Sequence, residues 1–179
     1  MNIFLIGFMA SGKTTVGKIL AKKLRMSFKD LDLEIEKKHG ITASKFYATF
    51  GEKSFRETER KILLELIKDK NLILSTGGGA PCFFDNMEIM NREGITVCLK
   101  MNKEAILQRL IKLSPASIAR RLLIAEKSKE EIIRFIETNM DKREIFYNKA
   151  RIVVSNEIQD ACIAVERIVS ALQFYENKN

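Results

Sequence analysis

Eight consecutive residues, Gly7-Phe8-Met9-Ala10-Ser11-Gly12-Lys13-Thr14, follow the pattern G-x-x-x-x-G-K-[ST], whose chemistry is the holding of nucleotide phosphates. Gly7 and Gly12 permit backbone turns that other residues resist, so successive N–H groups can converge on an anion. The Lys13 ammonium suits the β- and γ-phosphates, and the Thr14 hydroxyl is a ligand for Mg²⁺. A helix beginning at this point adds the positive end of its dipole. These residues predict binding of ATP or GTP.

Further residues carry chemistry of the same kind. Phe28-Lys29-Asp30-Leu31-Asp32 sets two carboxylates two apart at the end of a short strand, where both would project to one side. A Mg²⁺–triphosphate site uses a carboxylate near the metal, and a phosphoryl acceptor uses one to orient its hydroxyl. The competing reading makes Asp32 a helix N-cap before Leu33. Gly77-Gly78-Gly79 carries a large entropy cost unless backbone must approach a ligand closely. The preceding Ser75-Thr76 offers no acid, which moves the acidic role onto Asp30. In Gly51-Glu52-Lys53-Ser54-Phe55-Arg56-Glu57-Thr58-Glu59, a turn enters a helix with Arg56 in its first turns. Such a cation suits either a bidentate grip on a ligand carboxylate or a surface ion pair with Glu59 or Glu52. Arg120-Arg121 lies in a segment, 113–127, that breaks the helical pattern and reads as a mobile lid; an arginine there can meet the charge of a transferring phosphoryl group.

These groups need a frame, and the rest of the chain supplies one. Strands are expected at Asn2–Ile6, Ser27–Leu31, Asn71–Ser75, Ile95–Leu99 and Arg151–Ser155. Helices are expected at Lys13–Arg25, Leu33–Lys38, Thr42–Phe50, Glu52–Lys68, Phe84–Arg92, Lys103–Leu113, Lys129–Tyr147 and Ile158–Tyr175. The alternation predicts an α/β fold with a five-stranded parallel sheet covered by helices on both faces, as one domain over 1–179. Ligands of such sheets bind at the carboxyl ends of the strands, where each motif falls.

The 179 residues are 46% hydrophobic and 30% charged, an ordinary globular balance. The net charge of +8 is spread among acidic residues along many helices, which favours solvated faces and a cationic cleft over a nucleic-acid partner. Cys82, Cys98 and Cys162 show no metal or disulfide spacing. Cys98 and Cys162 sit in apolar runs and read as core residues, and Cys82 reads as the more accessible one. His39 is expected at an exposed helix end. A strand starting at Asn2 leaves no room for a signal peptide, and no apolar run reaches membrane-spanning length, so a cytoplasmic protein without a membrane partner is expected.

Taken together, these motifs resemble the shikimate kinase family of phosphate-loop kinases. The resemblance rests on GFMASGKTTVGK at 7–18, FKDLDLEIE at 28–36, FGEKSFRETE ending at Glu59, STGGGA at 75–80, ARRLL at 119–123 and KREIFY at 142–147. It implies transfer of the γ-phosphate of ATP to the 3-hydroxyl of shikimate, with Mg²⁺ as cofactor and a monomeric enzyme. Ala10, Ser11, Gly12, Lys13, Thr14 and Thr15 would hold the ATP phosphates, with Thr14 on Mg²⁺ and Asp30 near the metal's water shell. Asp32 would bind the acceptor hydroxyls, Arg56 and Arg143 the shikimate carboxylate, and Gly78 and Gly79 the substrate and γ-phosphate through their backbone. Arg109 would lie against the adenine and Arg120 would be the lid arginine, chosen by register, with Arg121 as its alternative because it replaces the family's usual proline. Ile145 stands where the family often has proline. Ala10-Ser11 stands where Gly-Ala is common, at positions the motif leaves open. A gluconate or nucleoside-monophosphate kinase and a non-catalytic nucleotide-binding regulator are the rival readings.

Overall fold

A computed structural model describes residues 1–113, 128–156 and 160–176. Five strands, β1 (Asn2–Ile6), β2 (Ser27–Asp30), β3 (Leu72–Ser75), β4 (Gly94–Lys100) and β5 (Ile152–Ser155), form one sheet in the order β2-β3-β1-β4-β5. Every neighbouring pair is parallel, and each strand lies within one residue of its expected bounds. Among the described residues the helices are α1 (Lys13–Leu24), α2 (Leu31–His39), α3 (Ala43–Leu66), α4 (Asn86–Glu93), α5 (Lys103–Ile111), α6 (Lys129–Tyr147) and α7 (Ala161–Glu176), with a 3₁₀ turn at Ala80–Cys82.

The period of two in β1 sorts the core into two layers. Ile3 and Leu5 pack with Val16 and Leu20 of α1 and with Val165, Ile168 and Leu172 of α7. Phe4 and Ile6 face the other way, onto Leu63 of α3, Met90 of α4, Ile106 of α5 and Ile136 of α6. A strand buried on both faces has no polar side, which is why β1 reads as an unbroken apolar run. The result is a three-layer α/β/α sandwich. The connection from β1 runs past β3 to β2, and that from β3 runs the other way past β1 to β4, which opens a crevice at the carboxyl ends of these two neighbours.

Local chemistry sets the helix ends that border this crevice. Gly12 caps α1 with φ +95° and no side-chain hydrogen bond, and no acid occupies the first turn, so the free N–H groups face the loop. Asp30, not Asp32, caps α2: its carboxylate accepts from the Asp32 backbone N–H at 3.2 Å. The helix thus starts two residues earlier than expected, and Asp32 sits inside its first turn. α3 joins the two helices expected on either side of Gly51, whose φ of +77° and ψ of 171° break the helix there. A Ser128–Glu131 capping box starts α6.

Three expectations are corrected. Phe84 precedes α4 instead of starting it, in left-handed backbone at φ +54°. Cys162 is exposed on the outer face of α7, because that helix buries the stripe of Ala164, Val165, Ile168 and Leu172. Gly77–Gly79 is a hydrogen-bonded turn and not a loose loop: the Ala80 N–H donates to Gly77 O at 3.1 Å and the Cys82 N–H to Gly79 O at 2.8 Å. The lid residues from 114 onward, including Arg120 and Arg121, lie outside the described residues. Among the described residues no helix is long and apolar enough to cross a membrane.

Candidate active site

The phosphate loop runs from the end of β1 into α1 and takes left-handed backbone at Ala10 (φ +59°) and Gly12 (φ +95°). Position 10, which the motif leaves open, is therefore conformationally demanding, and alanine is held there at a cost of about 1–2 kcal/mol. Lys13 is buried at the loop's centre. Its ammonium donates to Gly7 O at 2.8 Å and Phe8 O at 2.9 Å, with Ser11 Oγ at 3.5 Å. The Thr14 hydroxyl donates to Asp30 Oδ2 at 2.7 Å, which joins the start of α1 to the end of β2.

Two residues brace the loop from behind. Arg109 of α5 donates to Ala10 O at 3.0 Å and to Asn156 O at 3.3 Å. The buried Asn156, just past β5, donates from Nδ2 to Ser11 O at 2.7 Å. Both contacts hold loop carbonyls. Ser11 is fully buried and does not line the cleft that Ala10 and Gly12 line.

At the other end of the same crevice, Arg56 is buried at 6% exposure. Its guanidinium donates to Glu59 Oε2 at 2.8 Å, lies 3.6 Å from Glu52 at the rim, and stacks 4.3 Å above the Phe83 ring. The expected ion pair with Glu59 forms, but it is buried and not on the surface, and the guanidinium lines the cleft. Glu59 is fully buried, and its Oε1 has no partner. The glycine turn fits because side chains crowd it: a Cβ on Gly79 would meet Arg56 Nη2 at 2.6 Å, and one on Gly77 would meet Glu59 Oε1 at 2.7 Å. Neither glycine has left-handed backbone, so close approach is what excludes a side chain. Arg143, on α6, has its guanidinium carbon 5.4 Å from the centre of the Phe8 ring.

These groups line one cleft of about 770 Å³. Ala10, Gly12, Lys13, Thr14, Thr15 and Arg109 form the phosphate-loop end. Asp30 and Asp32 lie between the ends, and Arg56, Gly78, Gly79 and Arg143 form the far end. Burial pushes the Asp32 carboxyl up to about 7, with the charges of Glu59 and Asp30 adding to it and Lys13 and Arg56 opposing. Burial likewise lowers Lys13 to about 8, against the pull of Asp32 and Asp30. A carboxylate poised near neutrality beside buried cations is suited to accepting a proton from a hydroxyl. Sequence reasoning missed the burial of Glu59, which follows from its place one turn after Arg56, and missed Asn156, whose only signal is its position at a strand's carboxyl end.

Comparison with known proteins converges on one family. The family model for shikimate kinase matches residues 9–173. A shikimate kinase of Azobacteroides pseudotrichonymphae genomovar. CFP2 is 51% identical over 153 residues, covering 85% of this chain and 88% of that protein. The crystal structure of the shikimate kinase from Bacteroides thetaiotaomicron superposes with a TM-score of 0.90 at 38% identity, over 97% of this chain and 98% of that one. The Acinetobacter baumannii shikimate kinase, solved in complex with shikimate, gives 0.84 at 34% identity over 99% of this chain and 94% of that one. A match spanning the phosphate loop, the Asp32–Arg56 cleft and the final helix, with the same fold throughout, makes this chain a member of the shikimate kinase family.

Proposed function

We propose that this protein phosphorylates the 3-hydroxyl of shikimate at the expense of ATP. The observation that carries this reading is the convergence of Asp32 and Arg56 in the cleft that opens onto the phosphate loop. An acceptor with a carboxylate at one end and hydroxyls at the other is matched by arginines beyond and an aspartate nearer the nucleotide.

In the proposed reaction the loop amides and Lys13 hold the β- and γ-phosphates. Arg56 and Arg143 grip the shikimate carboxylate, and the backbone of Gly78 and Gly79 meets the substrate. Asp32 orients the 3-hydroxyl and takes its proton as the oxygen forms a bond to the γ-phosphorus. The bond from that phosphorus to the β–γ bridging oxygen breaks, and ADP leaves with the electron pair. Lys13, together with Arg120 of the lid, offsets charge gathering on the transferring oxygens. Arg109 is assigned to the adenine side, in addition to its contact with Ala10 O.

The Thr14 hydroxyl and the Asp30 carboxylate, joined at 2.7 Å, place two hard oxygens beside the phosphate loop. Among the described residues no cluster of three or more His, Cys, Asp or Glu side chains forms a separate metal cage. Two protein oxygens suit Mg²⁺, which keeps several waters and completes its shell with phosphates. When bound, the ion neutralises phosphate charge; Thr14 would hold it directly and Asp30 through water. The reading takes residues 1–179 as one domain, acting as a monomer in the cytoplasm without a nucleic-acid partner.

A coupled assay for ADP release, run in parallel with shikimate, gluconate and nucleoside monophosphates, tests the proposal. Release that depends on shikimate alone is expected. Dependence on another acceptor reassigns the substrate, and ATP binding without acceptor-dependent release indicates a regulator.

A further inference from the structure

Tyr147 ends α6 exactly one turn beyond Arg143, and it is nearly buried at 8% exposure. Its hydroxyl donates to Gly78 O at 2.6 Å, across 69 residues of chain. Burial holds its ionisation well above the usual phenol range, so the group is a neutral O–H donor throughout the working pH range. The glycine it engages has close neighbours from two elements. A Cβ on Gly78 would lie 3.3 Å from Met9 N, 3.4 Å from Gly7 O and 3.4 Å from Arg143 Nη1. Gly78 is therefore wedged between the phosphate loop and the α6 arginine, with the Tyr147 hydroxyl as its hydrogen-bonded stop.

We infer that Tyr147 is a positioning residue for the acceptor: its hydroxyl sets the glycine turn against the end of α6, so that Gly78, Gly79 and Arg143 meet shikimate in one geometry. A phenol has only two side-chain torsions, so it acts as a strut of fixed length between helix and turn. The nucleotide end leans on this strut less than the acceptor end does, because Arg109 and Asn156 also hold the phosphate loop, through Ala10 O and Ser11 O. Loss of the hydroxyl should consequently fall on shikimate and spare ATP. The inference rests on the assignment of Gly78, Gly79 and Arg143 to the acceptor.

The test is steady-state kinetics of Tyr147→Phe, which keeps the ring and removes only the donor. The KM for shikimate is expected to rise about 5- to 20-fold, with the KM for ATP within about 2-fold of the wild-type value. A hydroxyl that only supports the fold would lower thermal stability and leave both KM values alone or move them together; either result overturns the inference. If Tyr147→Phe does not fold, Tyr147→Met, which fills the buried space without a hydroxyl, is read by the same two outcomes. Wild-type protein without shikimate-dependent ADP release overturns the acceptor assignment and this inference with it. An active wild type with an unaffected Tyr147→Phe overturns this inference alone.

Discussion

Asp32 and Glu59 press on the same side of Gly77: a Cβ built there would lie 3.1 Å from Asp32 Oδ1 and 2.7 Å from Glu59 Oε1. Two carboxylates from different helices thus share one small space, with the Arg56 guanidinium bound to the Glu59 side. Like charges so placed disfavour joint ionisation, and burial raises both groups above the ordinary range.

Stability of the metal-free protein should carry the mark of this crowding. A carboxyl raised from 3.8 to about 7 keeps its proton longer in the folded state than in the unfolded chain. Its contribution to stability is therefore fully present below the ordinary carboxylate value and is lost as pH rises to about 7, at up to roughly 1.4 kcal/mol per pH unit. Asp32→Asn should gain stability over wild type progressively from pH 4 to 7, with no further gain above. Thermal melts of both proteins in chelator across this range check it, since groups remote from Asp32 cancel in the difference.

Turnover should separate from nucleotide binding at the same residue. Asp32→Asn keeps the shape but cannot accept the hydroxyl proton, and a fall in kcat of about 10²- to 10⁴-fold is expected with ATP affinity preserved. Lys13→Ala should lose both affinity and rate, because the same ammonium serves ground state and transition state. ATP titration beside ADP-release kinetics distinguishes the two patterns; unchanged turnover in Asp32→Asn would defeat its assigned role.

Gly79→Ala should damage the acceptor end. The new methyl would lie 2.6 Å from Arg56 Nη2 and 2.9 Å from its Cζ. The guanidinium has little room to retreat, being pinned by Glu59 and stacked on Phe83. A rise in the KM for shikimate of about 10-fold, with ATP affinity little changed, is expected. Separate saturation curves for the two substrates measure it.

Ala10→Gly should stabilise the protein. Alanine at φ +59° carries a left-handed penalty that glycine avoids, partly offset by the greater freedom of glycine in the unfolded chain. The net gain should raise Tm by about 1–3 °C without loss of ATP binding. A lower Tm would show that the Arg109 and Asn156 braces remove the strain at this turn.

Much of this protein was legible without coordinates, wherever geometry is set by neighbours in the chain. The phosphate loop is eight contiguous residues, and its glycines and lysine prescribe their own backbone. β1, β3 and β4 appeared within a residue of expectation because their side chains alternate between two buried layers and so form apolar runs. Gly51 was readable as a break because only its own φ is at stake.

What the sequence left open depends on segments brought together from afar. Arg56 had two equal readings, a ligand grip or a surface ion pair, and packing placed its ion pair in the buried wall of the cleft, which no local pattern reveals. Asp30 took the cap that the sequence offered to Asp32, because β2 ends at Asp30 and leaves Asp32 in the helix. The burial of Glu59, the brace from Asn156 and the strut from Tyr147 to Gly78 each span many residues of chain. The chemistry of single residues follows from their side chains, but burial, charge coupling and the distance between groups are sums over the folded surroundings, and only the tertiary structure supplies those.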